Sequence, residues 1–326
     1  MVFLFRDTAI SNLFLLLLLC MGVHLHCFFT TVPVWYGNDG IISLLIQKYV
    51  VGLSPTLLFI LYQAMILIPA IRLNMVLNDQ RMFVSGNFTT AMAYVILSGI
   101  LPEWCGISAV LPANLLLIWL FIKLCRLYNH PSPKTLLFNI GLIVGITVLL
   151  YHPTEVLIGV VLFALAVVRP FRIAEWLILL MGILLPYYFL AAWLFLEDNL
   201  GVFGQYLPLA HWHLPVSSWN IALIIQLSLL ALMILLGLYF WQVSSNRMVI
   251  QIRKNWNVMA VMLLLLLTIP FLFRQPGMNA ALMCLVPIAA FAGNTFSYPR
   301  KLLLPNFIFW LTIAVLVFNN WILLKN

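Results

Sequence analysis

Leu15-Leu16-Leu17-Leu18-Leu19 and Leu263-Leu264-Leu265-Leu266-Leu267 are unbroken runs of a single aliphatic residue. A half-buried strand alternates apolar and polar side chains, and a transmembrane barrel strand alternates between lipid and lumen in the same way. Neither run alternates. In hydrocarbon every backbone N–H and C=O needs an internal partner, which only helices and closed barrels supply. The runs therefore read as helices with lipid as their solvent.

The rest of the chain repeats the pattern. Of 326 residues, 65% are hydrophobic and 7% are charged, against about 25% charged in an ordinary soluble domain. So few charges cannot clothe a water-facing surface, and a single large soluble core is excluded. Apolar stretches occur at 9–30, 54–71, 88–102, 105–123, 135–151, 153–168, 176–196, 218–243, 256–273, 277–293 and 306–324. The expected fold is all-α: a polytopic bundle of about eleven transmembrane helices forming one domain over 1–326, with outer loops at 31–53 and 197–217. The first stretch has no small-residue cleavage pattern after it and reads as a retained helix.

The net charge of +8 invites a nucleic-acid reading, but the bases stand in ones and twos between apolar runs and make no basic face. Their placement instead sets an orientation, because Lys and Arg are retained on the cytoplasmic side. With the N-terminus inside, the inner segments carry Arg6, Arg72, Arg81, Lys123, Arg126, Lys134, Arg169, Arg172, Arg247, Arg253, Lys254, Arg300 and Lys301. The outer segments keep Lys48, Arg274 and Lys325. This alternation predicts a cytoplasmic N-terminus and a C-terminus on the outer side. The acids lean outward: Asp39, Glu103, Glu155, Glu197 and Asp198 all fall at outer ends.

Two hairpins are unusually tight, at Leu101-Pro102-Glu103-Trp104 and at Tyr151-His152-Pro153-Thr154-Glu155. The arms of the second, measured from Lys134 and Arg169, reach only about 22–26 Å at helical rise, less than the roughly 30 Å hydrocarbon core. The turn should then lie below the outer surface, where irregular backbone is tolerated only inside protein or around water. An outward crater with His152 and Glu155 near its floor is expected. Ionisable residues at such depth are functional candidates, and the alternative for Glu155 is a hydrogen bond tying helices together. In the first outer loop, Asn38-Asp39-Gly40 reads as a turn or cap opening a short segment, 41–53, that either lies on the outer surface or extends the next span. Asp39 would stand over the crater mouth. Asp39, Glu155, His152 and Glu103 are the catalytic candidates.

Arg274, in the turn Phe273-Arg274-Gln275-Pro276-Gly277, is the candidate for holding a phosphate, with interfacial snorkelling as the alternative. His24 and His26, like His211 and His213, are two residues apart, which on a helix places them on opposite sides. Five scattered cysteines include no C-x-x-C pair. Neither a metal, a disulfide framework nor a cofactor is expected, and no phosphate-binding loop, dinucleotide fingerprint or nucleophile elbow occurs.

Tyr62-Gln63-Ala64, Arg72-Leu73-Asn74, Tyr94-Val95, Leu101-Pro102-Glu103 and Pro112-Ala113-Asn114-Leu115 recur together in one family. So do Leu149-Leu150-Tyr151-His152-Pro153, Arg169-Pro170-Phe171-Arg172 with Glu175-Trp176, and Leu185-Pro186-Tyr187-Tyr188. Over Tyr62 to Leu200 the chain resembles an uncharacterised family of Gram-negative polytopic inner-membrane proteins, often labelled carotene monooxygenases. The first outer loop departs from that pattern. A more distant architectural likeness runs to C-type glycosyltransferases that use polyprenyl-phosphate-linked sugars, although Gly40 stands where a second acid is common.

These likenesses imply a multi-pass protein of the bacterial inner membrane that takes part in envelope biogenesis, with the bilayer and a polyprenyl-phosphate lipid as partners. The alternative is a non-catalytic subunit or scaffold bound to other inner-membrane subunits. A transporter is disfavoured by the scarcity of mid-helix charges and of inverted repeats. Carotene cleavage needs a histidine cluster that the spacing does not supply.

Overall fold

Proline and serine open several helices where the apolar runs begin. Pro55 and Pro133 sit in the first turns of their helices, where no N–H is needed, and Ser54 Oγ accepts from Leu57 N at 3.4 Å. The computed structural model describes residues 1–37, 39–128, 130–207, 212, 220–245, 248–273 and 277–325, with side chains to 320. Its α-helices are α1 (Ser11–Val23), α2 (Ile41–Tyr49), α3 (Pro55–Asp79), α4 (Thr89–Ser98), α5 (Val110–Cys125), α6 (Pro133–Leu150) and α7 (Val156–Val168). They continue as α8 (Ile173–Leu196), α9 (Ile221–Ser245), α10 (Ile250–Leu266), α11 (Ile269–Leu272), α12 (Leu285–Ser297) and α13 (Leu303–Lys325). No strand occurs among the described residues beyond one isolated bridge, Val34 to Ile107.

Every apolar stretch read from the sequence is helical. Seven helical segments are long and apolar enough to cross a bilayer: Pro55–Asp79, Pro133–Leu150, Ile173–Leu196, Ile221–Ser245, Ile250–Leu272, Gly277–Ser297 and Leu303–Asn320. Four are shorter: Ser11–Val23, Thr89–Ser98, Val110–Cys125 and His152–Val168. The chain is thus a helical, multi-pass membrane protein. Its lipid-facing side is plainest on α8, where Leu177, Met181, Leu184, Tyr188 and Trp193 are all exposed.

The shorter helices are inner parts of the bundle. All ten residues of α4 are buried, and α12 is buried from Leu285 to Phe296. Small residues let backbones approach closely when lipid supplies no hydrophobic drive between helices. Ala91 and Ala93 on α4 and Ala289, Ala290, Ala292 and Gly293 on α12 provide that surface. A sequence signal passed over above does the same for the most intimate pair: Gly141-x-x-x-Gly145 on α6 meets Gly182 on α8, where an added Cβ would stand 2.5 Å from Phe138 O.

Where helices end inside the bundle, side chains of α13 take up the free carbonyls. Asn319 Nδ2 donates to Gly99 O at 2.7 Å, just past the end of α4, and Asn320 Nδ2 donates to Val23 O at 2.8 Å, at the end of α1. The expectation that His24 and His26 point apart fails here. The α-helix stops at Val23, and His24 leaves helical geometry with φ −104° and ψ 39°. A 3-10 turn, Leu25–Phe28, then brings His26 inward, and the two buried rings lie 6.4 Å apart. No metal-binding cluster forms among the described residues.

At one end of the bundle, bases read as inner lie against helix C-termini, where carbonyls lack partners. Arg6 Nη2 donates to Phe296 O and Pro299 O at 2.7 and 2.8 Å, at the end of α12. Lys254 Nζ donates to Val168 O at 3.1 Å, at the end of α7. Arg169 reaches Leu127 O and His130 O beyond α5 and pairs with Glu175 at 3.2 Å.

Candidate functional site

The other end is organised around the first loop. Trp35 N donates to Ile107 O at 2.8 Å and Ile107 N to Pro33 O at 2.9 Å, so residues 33–35 run beside the segment that follows the first tight hairpin. Four residues later His152 N donates to Asp39 O at 2.7 Å, which fixes the loop to the second hairpin. Gly40 makes this docking possible. Its φ is +134°, and a Cβ there would lie 2.5 Å from Leu150 O. Only glycine satisfies both the backbone angle and the close approach, which accounts for Gly40 at a position where an acid was looked for.

The choice left open for 41–53 is settled by the break after α2. Nine residues are too few to cross hydrocarbon, and the turn at Gly52, with φ +103°, separates α2 from α3. Ser43 and Ile46 face the protein, while Leu44, Leu45 and Tyr49 are exposed. The segment does not extend the next span.

The clasped loop encloses a cavity of about 200 Å³ lined by Trp35, Tyr36, Asp39, Ser43, Ser108, Tyr151 and Asn279, among others. That is room for several waters. Three of its polar atoms are buried without partners among the described residues: Ser108 Oγ, Tyr151 OH and Asn279 Oδ1. Native proteins pair nearly all buried polar groups, so these three atoms are left to water or to another polar partner in the cavity. The Asp39 carboxylate likewise accepts no hydrogen bond among the described residues, and burial pushes it up from the ordinary 3.8 to about 6.

A second cavity, of about 390 Å³, shares no lining residue with the first but has Met278, next to Asn279, in its wall; it is lined wholly by apolar residues and Trp104 and Cys284, including Leu101, Leu227, Leu230, Ile234 and Phe271. Met278 and Asn279 are neighbours in the 3-10 helix Gly277–Cys284, and Trp104 Nε1 ties this wall by donating to Met278 O at 3.1 Å.

The cavity adjoins the second hairpin, but its lining is not the one expected. Asp39 lines it. The His152 backbone holds Asp39, but its ring, with Nε2 unpartnered, is not part of the lining. Glu155, one 3-10 turn further, is also absent from the lining. Glu103 occupies the 3-10 turn Pro102–Trp104 near Cys105, its Oε2 buried without a partner, and also stands outside the lining. Arg274, His211 and His213 lie outside the described residues. Tyr151, Ser108, Ser43 and Asn279 were missed by the sequence reading. The signal available was that three of them flank the tight turns, one residue before His152, four after Trp104 and two after Gly277.

Fold and site together define a multi-pass helical membrane protein with a polar cavity at one end. Comparison with protein-family models, with curated proteins and with solved structures found no match.

Proposed function

We propose that this protein is an enzyme of the bacterial inner membrane that transfers a sugar from a polyprenyl-phosphate carrier at the periplasmic face, within envelope biogenesis. In this reading the eleven apolar stretches are eleven spans, the N-terminus is cytoplasmic, the C-terminus is periplasmic, and the Asp39 cavity opens outward. The distribution of Lys and Arg supports that orientation. The exposed Leu44, Leu45 and Tyr49 support α2 as an interfacial helix.

One observation carries the reading: a half-buried carboxylate shares a cavity with three unpartnered hydroxyl and amide groups, beside an apolar hollow. A carboxylate with neutral hydroxyl and amide neighbours suits a polyhydroxylated group, and the apolar hollow suits a hydrocarbon tail. Asp39 takes the proton of the acceptor hydroxyl as that oxygen forms its bond to the anomeric carbon. The bond from that carbon to phosphate oxygen breaks, and polyprenyl phosphate leaves with the electron pair. A base of about 6 is matched to this work near neutral pH. Arg274 is the base that the sequence offers for the phosphate.

The test is release of polyprenyl phosphate from polyprenyl-phosphate-linked sugars by the purified full-length protein, compared with Asp39→Asn and Tyr151→Phe. Removing the base should slow release by about 100-fold or more, whereas Tyr151→Phe should chiefly raise KM. Release that is unchanged in Asp39→Asn, or undetectable in the unaltered protein, refutes the reading. The second reading, a non-catalytic subunit, draws on the broad apolar face of α8; it expects both cavity variants to be silent and a partner to co-purify on that face.

A further inference from the structure

A third cavity, of about 590 Å³, lies at the end of the bundle remote from Asp39, and the reading above makes no use of it. It sits between the C-terminal part of α9, the C-terminal end of α12 and the segment 82–87. Both walls are held in place. Trp256 Nε1 donates to Met82 O at 3.2 Å, and the Nδ2 atoms of Asn74 and Asn78 both donate to Asn87 O, at 2.7 and 2.9 Å. On the other side the Arg6 guanidinium grips Phe296 O and Pro299 O. The cavity is therefore preformed and is not a gap under a loose loop.

Asn294 lines the cavity, is only 4% exposed, and its Nδ2 has no acceptor among the described residues. Ser297 and Tyr298 add hydroxyls, while the Ser244 hydroxyl is taken up by donating to Trp241 O at 2.9 Å. Arg300 lines the cavity from an exposed position and makes no ion pair among the described residues. Among the described residues no acidic side chain lines it, while Phe83 and Phe240 supply apolar walls. A buried amide donor, hydroxyls and a guanidinium that matches phosphate oxygens, all beside apolar surface, form a site for an anionic phosphate group.

We infer that this cavity binds the phosphate of an anionic amphiphile, with Asn294 Nδ2 and the Ser297 and Tyr298 hydroxyls donating to its oxygens, Arg300 balancing its charge, and the two phenylalanines packing on the apolar part. A phospholipid headgroup and free phosphate share this chemistry, and the experiment separates them.

The full-length protein in detergent is incubated with phosphatidylglycerol, with phosphatidylcholine or with inorganic phosphate, and bound ligand is counted by native mass spectrometry. One phosphatidylglycerol per chain, held at least about tenfold more tightly than phosphatidylcholine, is expected. Arg300→Gln and Asn294→Leu should each weaken it by about tenfold, the scale of one charge-assisted hydrogen bond. Stoichiometric inorganic phosphate, lost in the same variants, supports the site with free phosphate as its source. Absence of both ligands, equal retention of phosphatidylcholine, or binding indifferent to Arg300→Gln overturns the inference. Arg300 is exposed, so that variant remains informative even if Asn294→Leu fails to fold.

Discussion

Replacing Asp39 by asparagine separates a catalytic acid from a structural one, because the two roles predict opposite changes in stability. Burial raises the carboxyl from 3.8 to about 6 with no compensating hydrogen bond, so the charged form is held in the folded protein at a loss. At about 1.4 kcal/mol for each tenfold in acidity, the difference amounts to about 3 kcal/mol. Asp39 is only partly buried, and solvent screening reduces this to about 1 kcal/mol. The folded state binds the proton more tightly than the unfolded one, so stability falls as the pH rises from 3.8 to about 6 and stays lower above that. Asp39→Asn removes the charge and keeps the shape. It should therefore raise Tm by about 2 °C at pH 7.5, with the gain vanishing below about pH 3.8, the unfolded value. The assay is tryptophan fluorescence during heating, in detergent, across that pH range. A lower Tm for Asp39→Asn at pH 7.5 would show that the carboxylate ties the loop down, and the argument for a general base would fall with it.

Gly40→Ala adds a methyl 2.5 Å from Leu150 O at φ +134°, and should cost about 2–4 kcal/mol in unfolding experiments while leaving helix content unchanged. Gly141→Leu forces α6 away from α8 and should cost about 3 kcal/mol, read as a lower Tm. Glu175→Gln leaves the Arg169 guanidinium, whose side chain is 13% exposed, without its counter-charge; a loss of about 3 kcal/mol is expected. Arg172→Gln, at a side chain 67% exposed and 3.9 Å from Glu175, should change stability by less than about 0.5 kcal/mol.

Several features of the site were legible in the chain. Asp39 is among the candidates read from the sequence and lines the cavity, and the break in the chain before α2 falls at Gly40. The cavity lining was not legible, because the direction of a side chain in a 3-10 turn depends on where the turn is anchored. Tyr151 lines the cavity while Glu155 does not, although both belong to one short hairpin. The same limit applies to His24 and His26. Their separation of two residues means opposite faces only while the helix continues, and it stops at Val23. The Gly141-x-x-x-Gly145 signal was present in the sequence, but its partner Gly182 is known only from the packing.

What the sequence by itself determined is the solvent and the secondary structure. Burial of apolar side chains in lipid is nearly additive along the chain, and a backbone in hydrocarbon has few ways to satisfy itself. Runs such as Leu263–Leu267 therefore decide their own state wherever they sit. Only the tertiary structure decided which of the few polar groups meet. Asp39, Ser108, Tyr151 and Asn279 come from four distant parts of the chain. Their convergence depends on the clasp of residues 33–35 on Ile107 and of Asp39 on His152, contacts between backbones that no side-chain pattern records.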